Sequence, residues 1–293
     1  MRCSKENPDY NAITYDHIKN CKLITDEMID KEYIKLQQLN CEENTRGFCG
    51  NKIIYHYNLE QMLNTKRDVK NYYTLKEIFN DTTQKQYWIK QTIKMNRRQK
   101  LDYIEPVDIY ECYRRCKGSI NTFKAGTTKY LINKFNAKSM LDFTAGWGGR
   151  LLGARSLNIN YIGIDTNINL KESYDKMINK FGGMMIYKSC LDVDFETLDY
   201  DFVLTSPPYI NLEKYEHMPL FDNKETYYKS FLIPMINKSL KYIKLNGVVC
   251  INISNYMYDD YIKYGGKPCF ETIDLLQQLG GKPNKEIVYC FKM

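Results

Sequence analysis

The first part of the chain, residues 1–118, places apolar positions at helical spacing and shows few strand signals. Two capping-box sequences, Thr74–Glu77 and Thr83–Gln86, predict helix starts. A further helix is predicted over Glu105–Cys116, because Pro106 presets the backbone of its first turn. The pattern therefore predicts a mainly helical N-terminal domain over residues 1–118.

From residue 119 to residue 293, short apolar runs alternate with helical patterns. Strands are predicted at Ser139–Phe143, Asn160–Asp165, Tyr200–Leu204 and Gly247–Ile253. Helices are predicted between them at Arg150–Ser156, Asn169–Lys180 and Thr226–Ile243. Such alternation predicts an α/β fold with a doubly wound, mostly parallel sheet. A predicted helix at Thr272–Leu279 and the run Glu286–Phe291 add an antiparallel edge.

Charge adds a first indication of the partner. The net charge of +7 favours a polyanion such as nucleic acid. The many Lys, Asn, Ile and Tyr residues also have AT-rich codons, so genome composition alone could supply the lysines. No apolar run approaches the roughly 20 residues that span a membrane, and the polar start lacks the apolar core of a secretory signal. We expect an intracellular, soluble protein.

The ten cysteines are scattered and form no Cys-x-x-Cys pair. Cys112 and Cys116 would share a helical face, but only three histidines exist to complete a zinc site. Reduced thiols in an intracellular protein are the favoured interpretation, and no metal is predicted.

A glycine-rich turn, Asp142–Arg150, joins the first predicted strand to a helix. Glycines there permit a tight turn and close approach of a ligand at the carboxyl end of a strand. Asp165 ends the next strand, where a carboxylate can accept hydrogen bonds from both hydroxyls of a ribose. The turn fits a methyltransferase cofactor site, a dinucleotide site or a turn that binds no ligand. The dinucleotide fingerprint is incomplete, because Leu151 stands where its last glycine belongs.

The most informative segment is Ser206-Pro207-Pro208-Tyr209, which directly follows an apolar strand. Two prolines end the strand and fix the directions of the backbone carbonyls and the tyrosine ring. An exocyclic amino group of adenine or cytosine is a poor nucleophile, because its lone pair is delocalised into the ring. Acceptors at Ser206 Oγ and the Pro207 carbonyl could bind its two hydrogens, and Tyr209 could stack on a flipped base.

This segment resembles the catalytic motif of amino-methylating DNA methyltransferases, Asp/Asn/Ser-Pro-Pro-Tyr/Phe. Together with Phe143-Thr-Ala-Gly-Trp-Gly-Gly-Arg-Leu-Leu-Gly-Ala154, it is similar to DNA methylases common in phages and large DNA viruses. The resemblance runs from about Ser119 to the C-terminus. It implies a Rossmann-like Class I methyltransferase core, S-adenosylmethionine as cofactor and double-stranded DNA as partner.

The resemblance also implies roles for single residues. Ser206, Pro207, Pro208 and Tyr209 would be catalytic. The cofactor would be bound by Phe123, Thr127, Asp142, Thr144, Gly146, Gly148, Asp165 and Asp192. Of these, Asp192 would lie near the adenine, and Phe123–Thr127 would close over the methionine end. The family more often has proline where Ala125 stands.

Other functions remain open. Methylation at cytosine C5 needs a cysteine nucleophile, but Cys269 lies in a loop beyond the fourth predicted strand. RNA bases and protein glutamine carry similar amino groups and are methylated by enzymes with related motifs. An alternative from a different functional class is a partner subunit that binds the cofactor but is inactive. Serine in the first motif position favours N4 of cytosine over N6 of adenine.

No separate recognition domain fits between the cofactor and catalytic motifs. Recognition would then fall to the N-terminal domain and to loops such as Ile210–Lys224. The candidate phosphate contacts are Lys94, Arg97, Arg98 and Lys100, close to the aromatic pair Tyr87 and Trp88. A solvated basic face over a buried aromatic pair explains the same residues equally well.

Overall fold

The computed structural model describes residues 1–41, 47–65, 73–96, 101–117, 122–209, 221–276 and 285–293. These residues form two compact units. The first contains Met1–Thr25 and Asn58–Asn121, and the second contains Asp26–Tyr57 and Thr122–Met293.

The α-helices of the described residues are α1 (Tyr15–Lys19), α2 (Asp26–Gln38), α3 (Asn51–Asn64), α4 (Leu75–Asn80), α5 (Thr82–Met95), α6 (Pro106–Lys117), α7 (Ala125–Lys134), α8 (Gly149–Arg155), α9 (Lys171–Phe181), α10 (Lys224–Tyr227), α11 (Ile233–Tyr242) and α12 (Asn255–Lys263). The strands are β1 (Cys3–Ser4), β2 (Tyr103–Ile104), β3 (Ser139–Asp142), β4 (Asn160–Asp165), β5 (Met184–Tyr187), β6 (Phe202–Thr205), β7 (Val248–Ile253), β8 (Glu271–Leu276) and β9 (Lys285–Phe291).

The first unit is mainly helical, with one short antiparallel pair of β1 and β2. The predicted capping box at Thr74 is confirmed, because its hydroxyl accepts the Glu77 amide and the Glu77 carboxylate accepts the Thr74 amide. The predicted start at Thr83 is wrong. Asp81 caps α5 instead, since its carboxylate accepts the Gln84 amide at 2.9 Å.

The second unit contains a seven-stranded sheet in the order β5-β4-β3-β6-β7-β9-β8. Strands β3 to β7 are parallel, while β9 runs antiparallel to both β7 and β8. Every residue of β3, β6 and β7 is buried, as expected for a parallel sheet covered on both faces. The predicted Rossmann-like α/β fold with an antiparallel edge is confirmed.

Two elements of the sheet differ from the prediction. Strand β5 was not predicted. Of the predicted helix Thr272–Leu279, the described residues Thr272–Leu276 lie in strand β8. Its buried Ile273 and Leu275 alternate with exposed Thr272 and Asp274, which is a two-residue period. Pairing with β9 therefore outweighs the local helical preference of this segment.

Residues 26–57 belong to the second unit, although they lie N-terminal to the predicted boundary at 118/119. A buried cation explains part of this packing. The Lys129 ammonium donates to the main-chain carbonyls of Leu36, Gln37 and Leu39 at 2.7–3.0 Å, at the end of α2. The last carbonyls of a helix have no amide one turn further along, and an ammonium near the C-terminus stabilises them. The Leu36 carbonyl also accepts the Leu39 amide at 3.3 Å. The roles assigned to the two predicted domains stay predictions.

Candidate active site

The carboxyl ends of the parallel strands meet at one edge of the sheet. At this edge, β3 leads into the glycine turn, β4 ends at Asp165, and β6 leads into Ser206. Because β6 lies directly beside β3, the two candidate motifs are neighbours. Ligands of doubly wound sheets bind at such an edge.

Backbone geometry explains the glycines of the turn. Gly148 has a φ of 86°, in the left-handed region that side chains rarely adopt. A Cβ on Gly149 would come within 1.9 Å of the Phe123 main-chain oxygen, so the segment before α7 passes directly against the turn. Substitution at either position would displace the turn.

The Asp142 carboxylate is the centre of a buried hydrogen-bond network. Its Oδ2 accepts from Arg150 Nε at 2.7 Å and from the Tyr161 hydroxyl at 3.0 Å. Its Oδ1 accepts from the Thr205 hydroxyl at 2.9 Å and from the Thr144 amide at 3.4 Å. The carboxylate therefore holds the turn together, and direct contact with a cofactor stays a prediction.

Arg150 carries the opposite charge of this network and is fully buried. Its guanidinium also donates to the main-chain oxygen of Thr144 and lies 5.1 Å from the Phe123 ring centroid. Burial alone would lower the pKa of Arg150. The charge and the hydrogen bond of the Asp142 carboxylate, with smaller contributions from Tyr161 and Tyr174, together raise that pKa above the usual value.

The side-chain carboxylate of Asp165 accepts a backbone amide of the glycine turn. Its Oδ2 accepts the Gly146 amide at 2.8 Å, and its Oδ1 accepts the Asn167 amide at 2.9 Å. Burial raises the pKa of Asp165, while the two amide hydrogen bonds partly oppose this. Each carboxylate oxygen has a second lone pair, so the group retains acceptor capacity for two hydroxyls.

The remaining predicted cofactor residues are placed as follows. Phe123 is half-buried before α7, and Thr127 is buried within α7. Asp192 is exposed in the 3-10 turn Cys190–Asp192, between β5 and β6. Their roles in cofactor binding stay predictions.

The Ser-Pro-Pro-Tyr segment continues from β6 without a break. Thr205, the last residue of β6, bonds to Asp142 and also accepts the Thr144 amide at 3.1 Å, which joins this segment to the glycine turn. The Pro208 carbonyl accepts the hydroxyl of the buried Tyr227 at 3.0 Å. Half-buried Tyr209 packs against the core. The end of β6 is therefore fixed by the glycine turn at Thr205 and by Tyr227 at Pro208.

Tyr227 stands at a change in helix geometry. The predicted helix Thr226–Ile243 corresponds to α10, a five-residue π-helical segment at Tyr228–Leu232, and α11. Such π-helical insertions are frequent at functional sites. This one follows the residue that fixes Pro208.

The predicted nucleic-acid residues are only partly placed. Lys94 is exposed in the last turn of α5, Trp88 is buried, and Tyr87 is exposed. Arg97, Arg98 and Lys100 lie outside the described residues, as do positions 210–220 of the loop Ile210–Lys224. Phosphate contact by this cluster stays a prediction.

Cys269 lies just before β8, at the edge of the sheet opposite β5. Its sulfur accepts the Tyr258 hydroxyl at 3.3 Å. All ten cysteines are free thiols. Among the residues that the structure describes, no three His, Cys, Asp or Glu side chains group as metal ligands. Within the same residues, no helix has both the length and the apolar character needed to cross a membrane.

Sequence reasoning missed several residues that build this edge. Arg150, Tyr161 and Thr205 complete the Asp142 network, and Asn252 and Tyr227 contact the Ser-Pro-Pro-Tyr segment. An arginine within an otherwise apolar helix start was a usable signal for Arg150. No local pattern distinguishes Asn252 or Tyr227, because each reaches its partner across more than 15 residues of chain.

No protein-family profile and no curated protein matches the sequence. Similar solved structures include an rRNA methylase from Streptococcus thermophilus, at 12% identity and a TM-score of 0.40, covering 60% of this chain and 99% of that chain. TrmN from Thermus thermophilus is 14% identical, with a TM-score of 0.43 over 62% of this chain and 53% of its own. An RNA methyltransferase from Salinibacter ruber, in complex with S-adenosyl-L-homocysteine, is 13% identical, with a TM-score of 0.38. The match covers 59% of this chain and 92% of that chain. Likenesses this distant carry no argument about substrate or activity.

Proposed function

We propose that this chain transfers a methyl group from S-adenosylmethionine to the exocyclic amino group of a DNA base, N4 of cytosine or N6 of adenine. One observation carries the proposal. The Ser-Pro-Pro-Tyr segment follows the strand beside the glycine turn, and Thr205 joins them through hydrogen bonds to Asp142 and from Thr144. A cofactor on the turn and a base on the segment would then be neighbours.

The residues of the turn fit an adenosine-containing cofactor. Gly146 and Gly148 both adopt positive φ. A Cβ on Gly146 would meet no atom closer than 3.9 Å, so the backbone there is open to a ligand, whereas Gly148 packs against Met177. Asp165 keeps acceptor capacity for both ribose hydroxyls, because its hydrogen bonds from the Gly146 and Asn167 amides use one lone pair on each oxygen. When bound, S-adenosylmethionine supplies an electrophilic methyl group on a sulfonium.

The Ser-Pro-Pro-Tyr residues suit the other reactant. Ser206 Oγ and the Pro207 carbonyl accept the two amino hydrogens and draw the nitrogen lone pair out of conjugation with the ring. Tyr209 stacks on the flipped base and offsets the few kcal/mol that flipping costs. Direct displacement at a methyl group needs chiefly positioning of the two reactants, so we assign no metal.

The choice of DNA over RNA rests on the motif. Its serine and the flanking residues resemble DNA methylases, and the net charge of +7 suits a polyanion. We place the reaction inside a cell, where free thiols persist.

Transfer of label tests the proposal. The protein is incubated with tritiated S-adenosylmethionine and either plasmid DNA or total RNA, and acid-insoluble counts are measured. We expect label in DNA with the wild type and a strong loss with Ser206→Ala at unchanged cofactor affinity. Label in RNA alone would favour the RNA alternative. No label in either, with the cofactor bound, would indicate an inactive cofactor-binding subunit.

A further inference from the structure

The hydroxyl of Ser206 faces a buried asparagine on the neighbouring strand. Its Oγ lies 3.3 Å from the main-chain oxygen of Asn252 and 3.4 Å from its Oδ1. Asn252 is only 3% exposed and stands near the end of β7, the strand beside β6. Both distances are longer than a single O–H···O hydrogen bond, as expected where one hydroxyl hydrogen is shared between two oxygens.

The orientation of the Asn252 amide follows from its other partner. Its Nδ2 donates to the main-chain oxygen of Ile287 on β9 at 3.1 Å. A carbonyl oxygen only accepts hydrogen bonds, so the amide nitrogen must face Ile287 and Oδ1 must face Ser206. A flipped amide would place two oxygens against each other in a buried position.

The direction of the Ser206 hydrogen bond is fixed as a result. Both atoms of Asn252 that face Ser206 are oxygens that only accept, so the single hydroxyl hydrogen of Ser206 points to β7. The remaining two lone pairs of Ser206 Oγ are acceptors. A serine with a freely rotating hydroxyl would instead donate or accept according to what it meets.

We infer that Asn252 is a positioning residue that makes Ser206 an obligate acceptor and so selects bases with an amino group. This inference rests on the proposed function. An amino group donates hydrogen bonds to Ser206, whereas the oxo group of uracil or hypoxanthine would place a carbonyl oxygen against a lone pair. Asn252 thus acts through Ser206 and touches neither base nor cofactor.

A double-mutant cycle tests whether Asn252 acts through Ser206. Asn252→Leu, Ser206→Ala and the double variant are compared with the wild type, using plasmid DNA and tritiated S-adenosylmethionine. We expect Asn252→Leu to lower kcat about tenfold, because Oδ1 is lost while the main-chain acceptor remains. Cofactor affinity should stay unchanged. Added to Ser206→Ala, the same change should have no further effect.

An additive cycle would overturn the inference, since Asn252 would then act independently of Ser206. A wild-type rate for Asn252→Leu would overturn it as well. Asn252→Ser, which is smaller and easily accommodated in the core, repeats the test if Asn252→Leu does not fold. A wild type that labels no nucleic acid would instead overturn the proposed function and this inference together.

Competition between two DNA duplexes tests whether Asn252 affects the choice of base. A purely structural role of Asn252 would not change this choice. The binding affinities of two short duplexes are compared. One carries the site that the protein methylates, with its amino base unmodified, and in the other this base is replaced by its oxo counterpart. The wild type should bind the oxo duplex more weakly than the amino duplex. Asn252→Leu should reduce this difference in affinity, because the hydroxyl, then held by the main-chain oxygen of residue 252 alone, turns more easily to donate to the oxo group. Equal discrimination by both proteins would contradict the inference.

Discussion

The ends of β3 and β6 are neighbours in the sheet but are held in different ways. At the end of β3, a fully buried carboxylate accepts hydrogen bonds from an arginine, a tyrosine, a threonine hydroxyl and a backbone amide. At the end of β6, half-buried Ser206 makes two longer contacts with Asn252, and Tyr227 holds the Pro208 carbonyl.

In the proposed mechanism, the end of β3 supports the site, and the end of β6 meets the substrate. The oxygens of Asp142 are largely used by the protein itself, which makes the glycine turn rigid before any ligand arrives. Ser206 keeps lone pairs, which the proposed mechanism assigns to the amino group of the base. We therefore expect changes at β3 to reduce stability and changes at β6 to reduce turnover.

The largest expected effect is on folding. Arg150→Met leaves the buried Asp142 carboxylate without its cation, and such losses cost about 3–5 kcal/mol of unfolding free energy. Urea denaturation followed by circular dichroism measures this cost. The matched control is Arg114→Met, since Arg114 pairs with Glu111 on the surface and should cost less than about 1 kcal/mol. Equal losses in both variants would show that the Asp142 network does not stabilise the fold.

The next largest effect is expected on the rate of methyl transfer. Ser206→Ala removes an acceptor that engages the amino group in the transition state, and kcat should fall about 10²- to 10³-fold. Tyr209→Ala removes base stacking, a loss of about 1–3 kcal/mol. Single-turnover methylation measures both rates, and calorimetry should show unchanged cofactor affinity. Ser4→Ala, at an exposed position of β1, serves as the control. Near wild-type rates in both catalytic variants would contradict the amino-methylation mechanism.

Cofactor affinity should be less sensitive. Asp165→Ala removes the acceptor proposed for the ribose hydroxyls, and calorimetry should show about ten- to a hundredfold weaker binding of S-adenosylmethionine. Asp175→Ala is the matched control, because this carboxylate is exposed and pairs with Lys171 on the surface. Unchanged affinity in a folded Asp165→Ala variant would end this assignment.

The pH dependence of cofactor affinity is a finer test of Asp165. Burial raises the pKa of Asp165 above the ordinary 3.8, so protonation begins at a higher pH than for an exposed carboxyl. The ionised form accepts the ribose hydroxyls more strongly, and affinity should fall as the pH is lowered through this raised pKa. In Asp165→Asn that part of the pH dependence should disappear. Identical pH profiles for the two proteins would mean that Asp165 does not bind the cofactor.

The smallest effect is expected at the predicted phosphate contacts. Glutamine at Lys94, Arg97, Arg98 and Lys100 should flatten the slope of log affinity against log salt by about 0.9 for each lost duplex contact. Cofactor affinity should not change. A control variant carries glutamine at four exposed lysines that pair with carboxylates one turn away: Lys31, Lys171, Lys176 and Lys229. The same slope in both variants would make the cluster an ordinary solvated surface.

Local sequence predicted most of the fold, because the strands near the site combine apolar runs with clear ends. Asn160–Asp165 was predicted to the residue, and Pro207 marks where the ladder of β6 must stop. Strand β8 was missed, since its pairing with β9 is a tertiary contact that local preference does not contain. The same reason hides Asn252, whose partners Ser206 and Ile287 are distant in sequence. Motifs predict which residues meet a ligand, whereas the residues that orient them are seen only in the packed sheet.

Identification of the methylated nucleoside tests the central claim most directly. Plasmid DNA is incubated with the protein and S-adenosylmethionine, digested to nucleosides and measured by mass spectrometry against the Ser206→Ala variant. The proposed mechanism predicts N4-methyldeoxycytidine or N6-methyldeoxyadenosine that depends on Ser206. Methylation at C5 of cytosine, or the same yield from the Ser206→Ala variant, would contradict it.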